Sequence, residues 1–143
     1  MSVATTSAPI ATLELSPARL NVLRAGYALM GVGLAVVRWP LLPHAEDLPL
    51  YEGVTLCLLT AMSLLALLGL RHPVRLLPLL LLETAWKLLW LGLIALPKAV
   101  AGDLDPATTD IVVNCSLVVL IIAVVPWRHV WRSLVRAPGD RWR

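Results

Sequence analysis

Residues 76–97 decide the fold, and they read LLPLLLLETAWKLLWLGLIALP. A membrane-spanning α-helix needs about 20 apolar residues, and this run has that length. It nevertheless carries Glu83 and Lys87 near its middle. A charge inside a span costs about 2.5–3.5 kcal/mol on insertion scales, so both side chains are expected to face protein rather than lipid. The stretch therefore predicts a membrane helix that packs against other helices.

The composition of the whole chain agrees with a membrane protein. Its 143 residues are 59% hydrophobic and 15% charged, whereas a soluble domain averages about 45–50% and about 25%. Three further apolar runs flank the first, so we predict spans at 20–39, 51–70, 76–97 and 108–127. The predicted fold is an all-α, four-helix transmembrane bundle in one domain, residues 17–132. Residues 1–16 are predicted to be a flexible N-terminal tail, and residues 133–143 a basic cytoplasmic tail.

Two dipeptides predict where helices begin. In Ser16-Pro17 and Asp105-Pro106, the residue before the proline has a side chain that can accept hydrogen bonds from backbone N–H groups. Proline is tolerated at the first helical position because its missing N–H would have no partner there.

The distribution of Lys and Arg predicts the topology. Arg19 and Arg24 mark the N-terminal end of the first span, the turn RHPVR at 71–75 is basic, and the C-terminal segment is rich in arginine. The loops at 40–50 and 98–106 are acidic overall. The positive-inside rule therefore predicts both termini in the cytoplasm, N-in and C-in. Beside a membrane span, the basic tail favours anionic lipid headgroups as its partner and not nucleic acid. The tail arginines are Arg128, Arg132, Arg136, Arg141 and Arg143.

The pair Glu83 and Lys87 has the spacing i, i+4, with the acid first, which stacks the two side chains favourably on one helix face. The simplest interpretation is a structural ion pair that lowers the insertion cost of both charges. Two alternatives stay open: a proton or ion relay or ligand counter-ion, and a contact with a partner helix of another protein.

Other spans contribute polar candidates at comparable depths, by a rise of about 1.5 Å per residue. These are Arg24 in the first span, and Asp110 and Asn114 in the fourth. Together with Glu83 and Lys87 they would form a polar track across the bundle if their faces meet. Arg38 and Glu52 both lie at the predicted outer mouth, where they could pair.

Motifs for chemistry are absent from the sequence. The cysteines Cys57 and Cys115 fall in apolar runs without a CxxC spacing, and the three histidines lie in different segments. Equal predicted depths leave a Cys57–Cys115 disulfide open. We identify no catalytic residue, metal site or cofactor, which favours a protein that is not an enzyme.

Three stretches carry a resemblance to a known group: GYALMGVGLAVVRWP at 26–40, LLETAWKLLWLGLIALP at 81–97 and VVPWRHVWR at 124–132. They resemble a family of uncharacterised small bacterial integral membrane proteins with four spans. The general plan is also similar to DoxX-like proteins, although no motif transfers a functional residue. The resemblance implies a multi-pass protein of the bacterial inner membrane and implies no activity.

Three functions remain as hypotheses. The first is a non-catalytic accessory or assembly component whose Glu83–Lys87 pair is architectural. The second is a small-solute or proton-coupled transporter that acts as a homo-oligomer. The third is a redox or quinone-linked membrane subunit. A homo-oligomer or another membrane protein is the expected partner.

Overall fold

The fold is all-α. A computed structural model describes residues 15–137, and every regular element in that range is helical. The α-helices are α1 (Pro17–Arg38), α2 (Leu50–Gly69), α3 (Leu77–Trp90), α4 (Leu96–Ala101), α5 (Pro106–Ser116), α6 (Val118–Val124) and α7 (Trp127–Val130). Most of the predicted tail 1–16, and residues 138–143 of the predicted basic tail, lie outside the described residues.

Four helical stretches within residues 15–137 are long and apolar enough to cross a membrane, which confirms the four predicted spans. The first is Pro17–Asp47, the second Leu50–Gly69, the third Leu77–Ala101 and the fourth Pro106–Val124. The outward faces remain apolar, with Leu58 57%, Leu93 73% and Val119 65% exposed. Such surfaces are unusual for a soluble monomer and suit contact with lipid chains.

Both predicted helix starts are confirmed. Ser16 Oγ accepts a hydrogen bond from the backbone N–H of Arg19 at 3.3 Å, and Pro17 follows as the first helical residue. Asp105 Oδ1 accepts from the backbone N–H of Thr108 at 2.6 Å. Hydrogen bonding by Thr108, first through its side chain and then through its backbone, lowers the pKa of the Asp105 carboxyl below its ordinary value.

The connection after the first span differs from the loop expected at 40–50. Residues Trp39–Asp47 form a 3₁₀-helix that continues α1. Pro40 and Pro43 lie in this segment, and each lacks the N–H that an α-helical bond requires. The segment is kinked at His44, whose φ of −114° and ψ of 19° are not helical, before α2 begins at Leu50.

The third span also continues further than expected, to Ala101 instead of Pro97. A π-helical turn at Leu91–Ala95 joins α3 to α4, and the backbone N–H of Leu96 bonds to the carbonyl of Leu91. Pro97 follows directly, at the start of α4, where its missing N–H is tolerated. The span ends at Gly102, whose φ of 70° is the left-handed conformation that glycine adopts readily.

The bundle core lies where all four spans meet. α1 packs along α2, α3 packs against α6, and α6 also contacts α1. The buried apolar residues include Leu23, Tyr27, Met30, Leu59, Met62, Ala66, Leu77, Leu80, Ile121 and Val125.

Close helix contacts between the first two spans use small and polar residues. Ser63 Oγ donates to the Gly31 carbonyl at 2.8 Å, in a buried position. The Tyr27 hydroxyl donates to the Pro73 carbonyl at 2.9 Å, and the Tyr27 ring lies against Gly69. Small residues let the backbones approach, and the hydrogen bonds then link the helices.

Candidate functional site

The centre of the site is the ion pair predicted from the sequence. Lys87 Nζ lies 2.7 Å from Glu83 Oε1, and the two residues are 7% and 1% exposed. One turn of α3 separates them, so both project from the same face into the bundle. Because a lone buried charge would be costly, each member of the pair lowers the cost of burying the other.

Trp86 is a third member of this group and lies between Glu83 and Lys87 in the sequence. Its indole Nε1 donates to Glu83 Oε2 at 2.8 Å. The Lys87 ammonium also lies 5.6 Å from the centre of the Trp86 ring, within the range of a cation–π interaction. The i, i+3 spacing from Glu83 is the signal that could have identified this hydrogen bond. Both carboxylate oxygens of Glu83 are thus bonded to donors on its own helix.

A cavity of about 250 Å³ adjoins the pair. It lies among the first, third and fourth spans, with Leu59 of the second span at one side. Its polar lining consists of Arg38, Glu83, Trp86, Lys87 and Asn114. The cavity can hold several water molecules or one small polar group, since one water needs about 10–15 Å³.

Arg38 faces this cavity, contrary to the expected pairing with Glu52. Arg38 Nε is buried and has no hydrogen-bond partner within residues 15–137. Glu52 is exposed in the first turn of α2, and the ion pair of the described chain joins only Glu83 and Lys87. The last turn of α1 directs Arg38 toward the bundle interior, whereas Glu52 lies on the outward face of α2, so the two do not meet.

The charges that line the cavity sum to one excess positive charge. Arg38 and Lys87 are cations, and among residues 15–137 Glu83 is the only anion that lines the cavity. The two oxygens of Glu83 are already bonded, whereas the Arg38 guanidinium and two of the three Lys87 protons have capacity to donate. The cavity is therefore rich in hydrogen-bond donors.

The predicted polar track across the bundle does not form. Arg24 is exposed and donates through Nε to the Leu70 carbonyl at 3.1 Å and through Nη1 to Asn21 Oδ1 at 2.9 Å. It is recruited there because the last carbonyls of α2 lack helical partners. Asn114 borders the cavity, but Asp110 is exposed and does not line it. Of the predicted track, only Glu83, Lys87 and Asn114 come together.

The cysteines do not meet. Cys57 is exposed on the second span and Cys115 is buried in the fourth, and both thiols are free. Neither lines the cavity. Within residues 15–137, no group of three His, Cys, Asp or Glu side chains could hold a metal ion.

The chemistry that this arrangement supports is binding. Two cationic side chains and an amide around a small cavity offer charge-assisted hydrogen bonds to an oxyanion. Comparison of the chain with models of protein families, with curated proteins and with solved structures gives no match.

Proposed function

We propose that this chain is a multi-pass protein of the bacterial inner membrane with both termini in the cytoplasm. The arginines near residues 19–24 and 71–75 and in the C-terminal segment support this orientation. Reporter fusions after residues 45, 73 and 103 test it. Cytoplasmic signal is expected only at 73, and a cytoplasmic signal at 45 would overturn the topology.

Within that membrane, the protein acts as a non-catalytic accessory or assembly component whose Glu83–Lys87 pair is architectural. The observation that supports this role is that the hydrogen-bond partners of the Glu83 carboxylate lie on its own helix. Glu83 Oε1 is bonded to Lys87 and Oε2 to Trp86, so both oxygens of the carboxylate are held by donors on its own helix, which favours a structural pair over a relay. A buried pair that is satisfied in this way favours one arrangement of the span over others.

A charge swap tests the architectural role. Each single change, Glu83→Gln or Lys87→Met, should reduce the amount of folded protein in the membrane, because it leaves a buried charge without its partner. The double exchange Glu83→Lys with Lys87→Glu should restore much of it, because the ion pair returns, although the reversed order is weaker and the bond from Trp86 to Glu83 is lost. The exposed Glu52→Gln variant is the matched control and should accumulate like the wild type. Failure of the swap to restore folded protein would contradict an architectural pair.

One observation favours a second function, a small-solute or proton-coupled transporter that acts as a homo-oligomer. The cavity brings a cation, an ion pair and Asn114 together inside the bundle. Four spans rarely enclose a pathway alone, so a second copy would complete it. Reconstituted vesicles that show no solute- or proton-dependent flux above empty vesicles would exclude this function.

The basic C-terminal segment is proposed to bind anionic headgroups of the cytoplasmic leaflet. α7 carries Arg128, and the following π-helical turn at Trp131–Val135 carries Arg132. Trp127 and Trp131 are exposed beside them, as expected for side chains that lie at a membrane interface. Native mass spectrometry of the full chain in an uncharged detergent should show fewer retained phosphatidylglycerol molecules when Arg128 and Arg132 are both changed to Gln.

A further inference from the structure

We propose that the cavity beside Arg38 binds the oxyanion headgroup of a membrane amphiphile, which enters sideways between the first and fourth spans. The site is separate from the basic C-terminal segment and does not depend on the accessory role proposed above. The ligand class is an acyl chain that ends in a carboxylate or a phosphodiester with net negative charge.

The hydrogen-bond capacity of the lining residues identifies the charge of the ligand. Arg38 Nε is buried and unpartnered within residues 15–137, and a buried donor without an acceptor costs about 1–3 kcal/mol. Glu83 does not accept from Arg38 in the described structure, and its two oxygens bond to Lys87 and Trp86 instead. An oxyanion would accept from the guanidinium and from the remaining protons of Lys87, and it would balance the excess positive charge.

The mouth of the cavity identifies the rest of the ligand. Leu29, Val37 and Leu117 line the cavity and are 46%, 52% and 49% exposed, so the cavity opens through the apolar surface of the bundle. Gly33 also lines the cavity and is exposed, and a Cβ added there would meet nothing within 4 Å among residues 15–137. A freely soluble anion would have to cross this apolar rim, whereas an acyl chain can lie along it while its headgroup reaches Arg38.

The volume limits what enters the cavity. At about 250 Å³ it is smaller than the pockets of about 300–1,000 Å³ that enclose drug-sized ligands. It therefore accommodates a headgroup and leaves the acyl chain outside, against the rim and the surrounding lipid.

Native mass spectrometry of the delipidated full chain in an uncharged detergent tests the proposal. The probes are oleate and dioleoyl phosphatidylglycerol, compared with oleyl alcohol, dioleoyl phosphatidylcholine and inorganic phosphate. Oleate and phosphatidylglycerol should bind more tightly than oleyl alcohol and phosphatidylcholine, since only the first two carry net negative charge. Inorganic phosphate should not displace oleate, because it lacks the chain that the rim contacts.

Two variants test the location, and each has a matched control. Arg38→Gln should weaken oleate binding about tenfold or more, the usual effect of removing a charged hydrogen-bond partner. Arg75→Gln removes the same charge from the exposed α2–α3 turn and should leave this affinity unchanged. Gly33→Leu should fill the opening and remove one bound equivalent of oleate. Gly92→Leu adds the same side chain at another helical glycine with open surroundings, and it should retain that equivalent.

Three results would overturn the proposal. Equal binding of oleate and oleyl alcohol would show that the negative charge of the ligand does not contribute to binding. Wild-type affinity in both Arg38→Gln and Gly33→Leu would place the ligand elsewhere. Displacement of oleate by inorganic phosphate at equal concentration would identify a free anion as the ligand of the cavity and exclude a membrane amphiphile.

Discussion

Replacing Gly69 by alanine should destabilise the bundle, although alanine is the better helix former. The Tyr27 ring is fully buried and lies against Gly69. An added Cβ would stand 2.6 Å from Tyr27 Cε1 and 2.7 Å from Cγ, closer than van der Waals contact allows. The ring must move, and its movement would lengthen or break the 2.9 Å hydrogen bond from the hydroxyl to the Pro73 carbonyl.

The expected cost follows from these two effects. Overpacking in a rigid core costs about 1–3 kcal/mol, and loss of one hydrogen bond costs about 0.5–1.5 kcal/mol. Alanine recovers less than about 1 kcal/mol of helix propensity at this position, because Gly69 is the last residue of α2. We therefore expect Gly69→Ala to lower the free energy of unfolding by about 2–3 kcal/mol.

Equilibrium unfolding in mixed micelles with increasing sodium dodecyl sulfate, followed by circular dichroism, measures this change. Gly33→Ala is the matched control. Nothing lies within 4 Å of a Cβ at Gly33, so that variant should be stabilised by up to about 1 kcal/mol. Tyr27→Phe should account for the hydrogen-bond part alone. In a Tyr27→Leu background the cost of Gly69→Ala should shrink, because the two residues are in contact.

An unfolding free energy of Gly69→Ala equal to that of the wild type would refute the steric reasoning. An equal loss in Gly33→Ala would refute it as well, since the cost would then come from the helix backbone and not from Tyr27.

Three further predictions concern the charged residues. Lys87→Met should lower the free energy of unfolding by about 3–5 kcal/mol, and adding Glu83→Gln to that variant should recover most of the loss. If the two losses were additive in the same micelle assay, the residues would not be a coupled pair. Arg24→Gln should cost about 1 kcal/mol through loss of its bond to the end of α2, whereas the exposed Arg75→Gln should show no change. Because the pKa of Asp105 is lowered in the folded state, its ionised carboxylate stabilises the fold fully at pH values above the ordinary pKa of about 3.9. This stabilisation is lost as the pH falls through the folded-state pKa. Asp105→Asn should therefore flatten the acid limb of thermal stability, and an unchanged limb would disprove the link.

The spans were predictable because their signals are local. Length and apolarity define a membrane helix within one segment, and a capping side chain followed by proline marks its start, as at Ser16 and Asp105. The Glu83–Lys87 bond was predictable for the same reason, since a separation of four residues places both on one helix face. Neither inference requires knowledge of a neighbouring helix.

The cavity was not predictable because it depends on how helices rotate against each other. The sequence places Arg24 and Glu83 at similar depths but does not determine which way either side chain points. Arg24 turns to the exposed end of α2, where the carbonyl of Leu70 needs a donor. Arg38 was expected at an outer rim and instead lines, from the last turn of α1, the cavity that adjoins the buried ion pair. The depth of a residue in its span follows from its position in the sequence, whereas the direction in which its side chain points depends on how the helices pack.

The end of the third span was missed for a different reason. Proline usually ends a helix, and Pro97 supported that interpretation. The π-helical turn directly before it changes the bonding pattern, so the missing N–H of Pro97 does not stop the helix. Only the backbone geometry reveals this compensation.

The π-helical turn at Leu91–Ala95 has a consequence for tolerance to length changes. A turn with i→i+5 bonding holds one residue more than an α-helical turn over nearly the same rotation. Removing one residue there, such as Gly92, would let regular α-helix form without rotating Lys98 relative to Glu83. Inserting a residue would have to rotate the far end of the span or widen the turn further. The third span can thus lose one residue at this turn without changing the direction in which Lys98 points relative to Glu83.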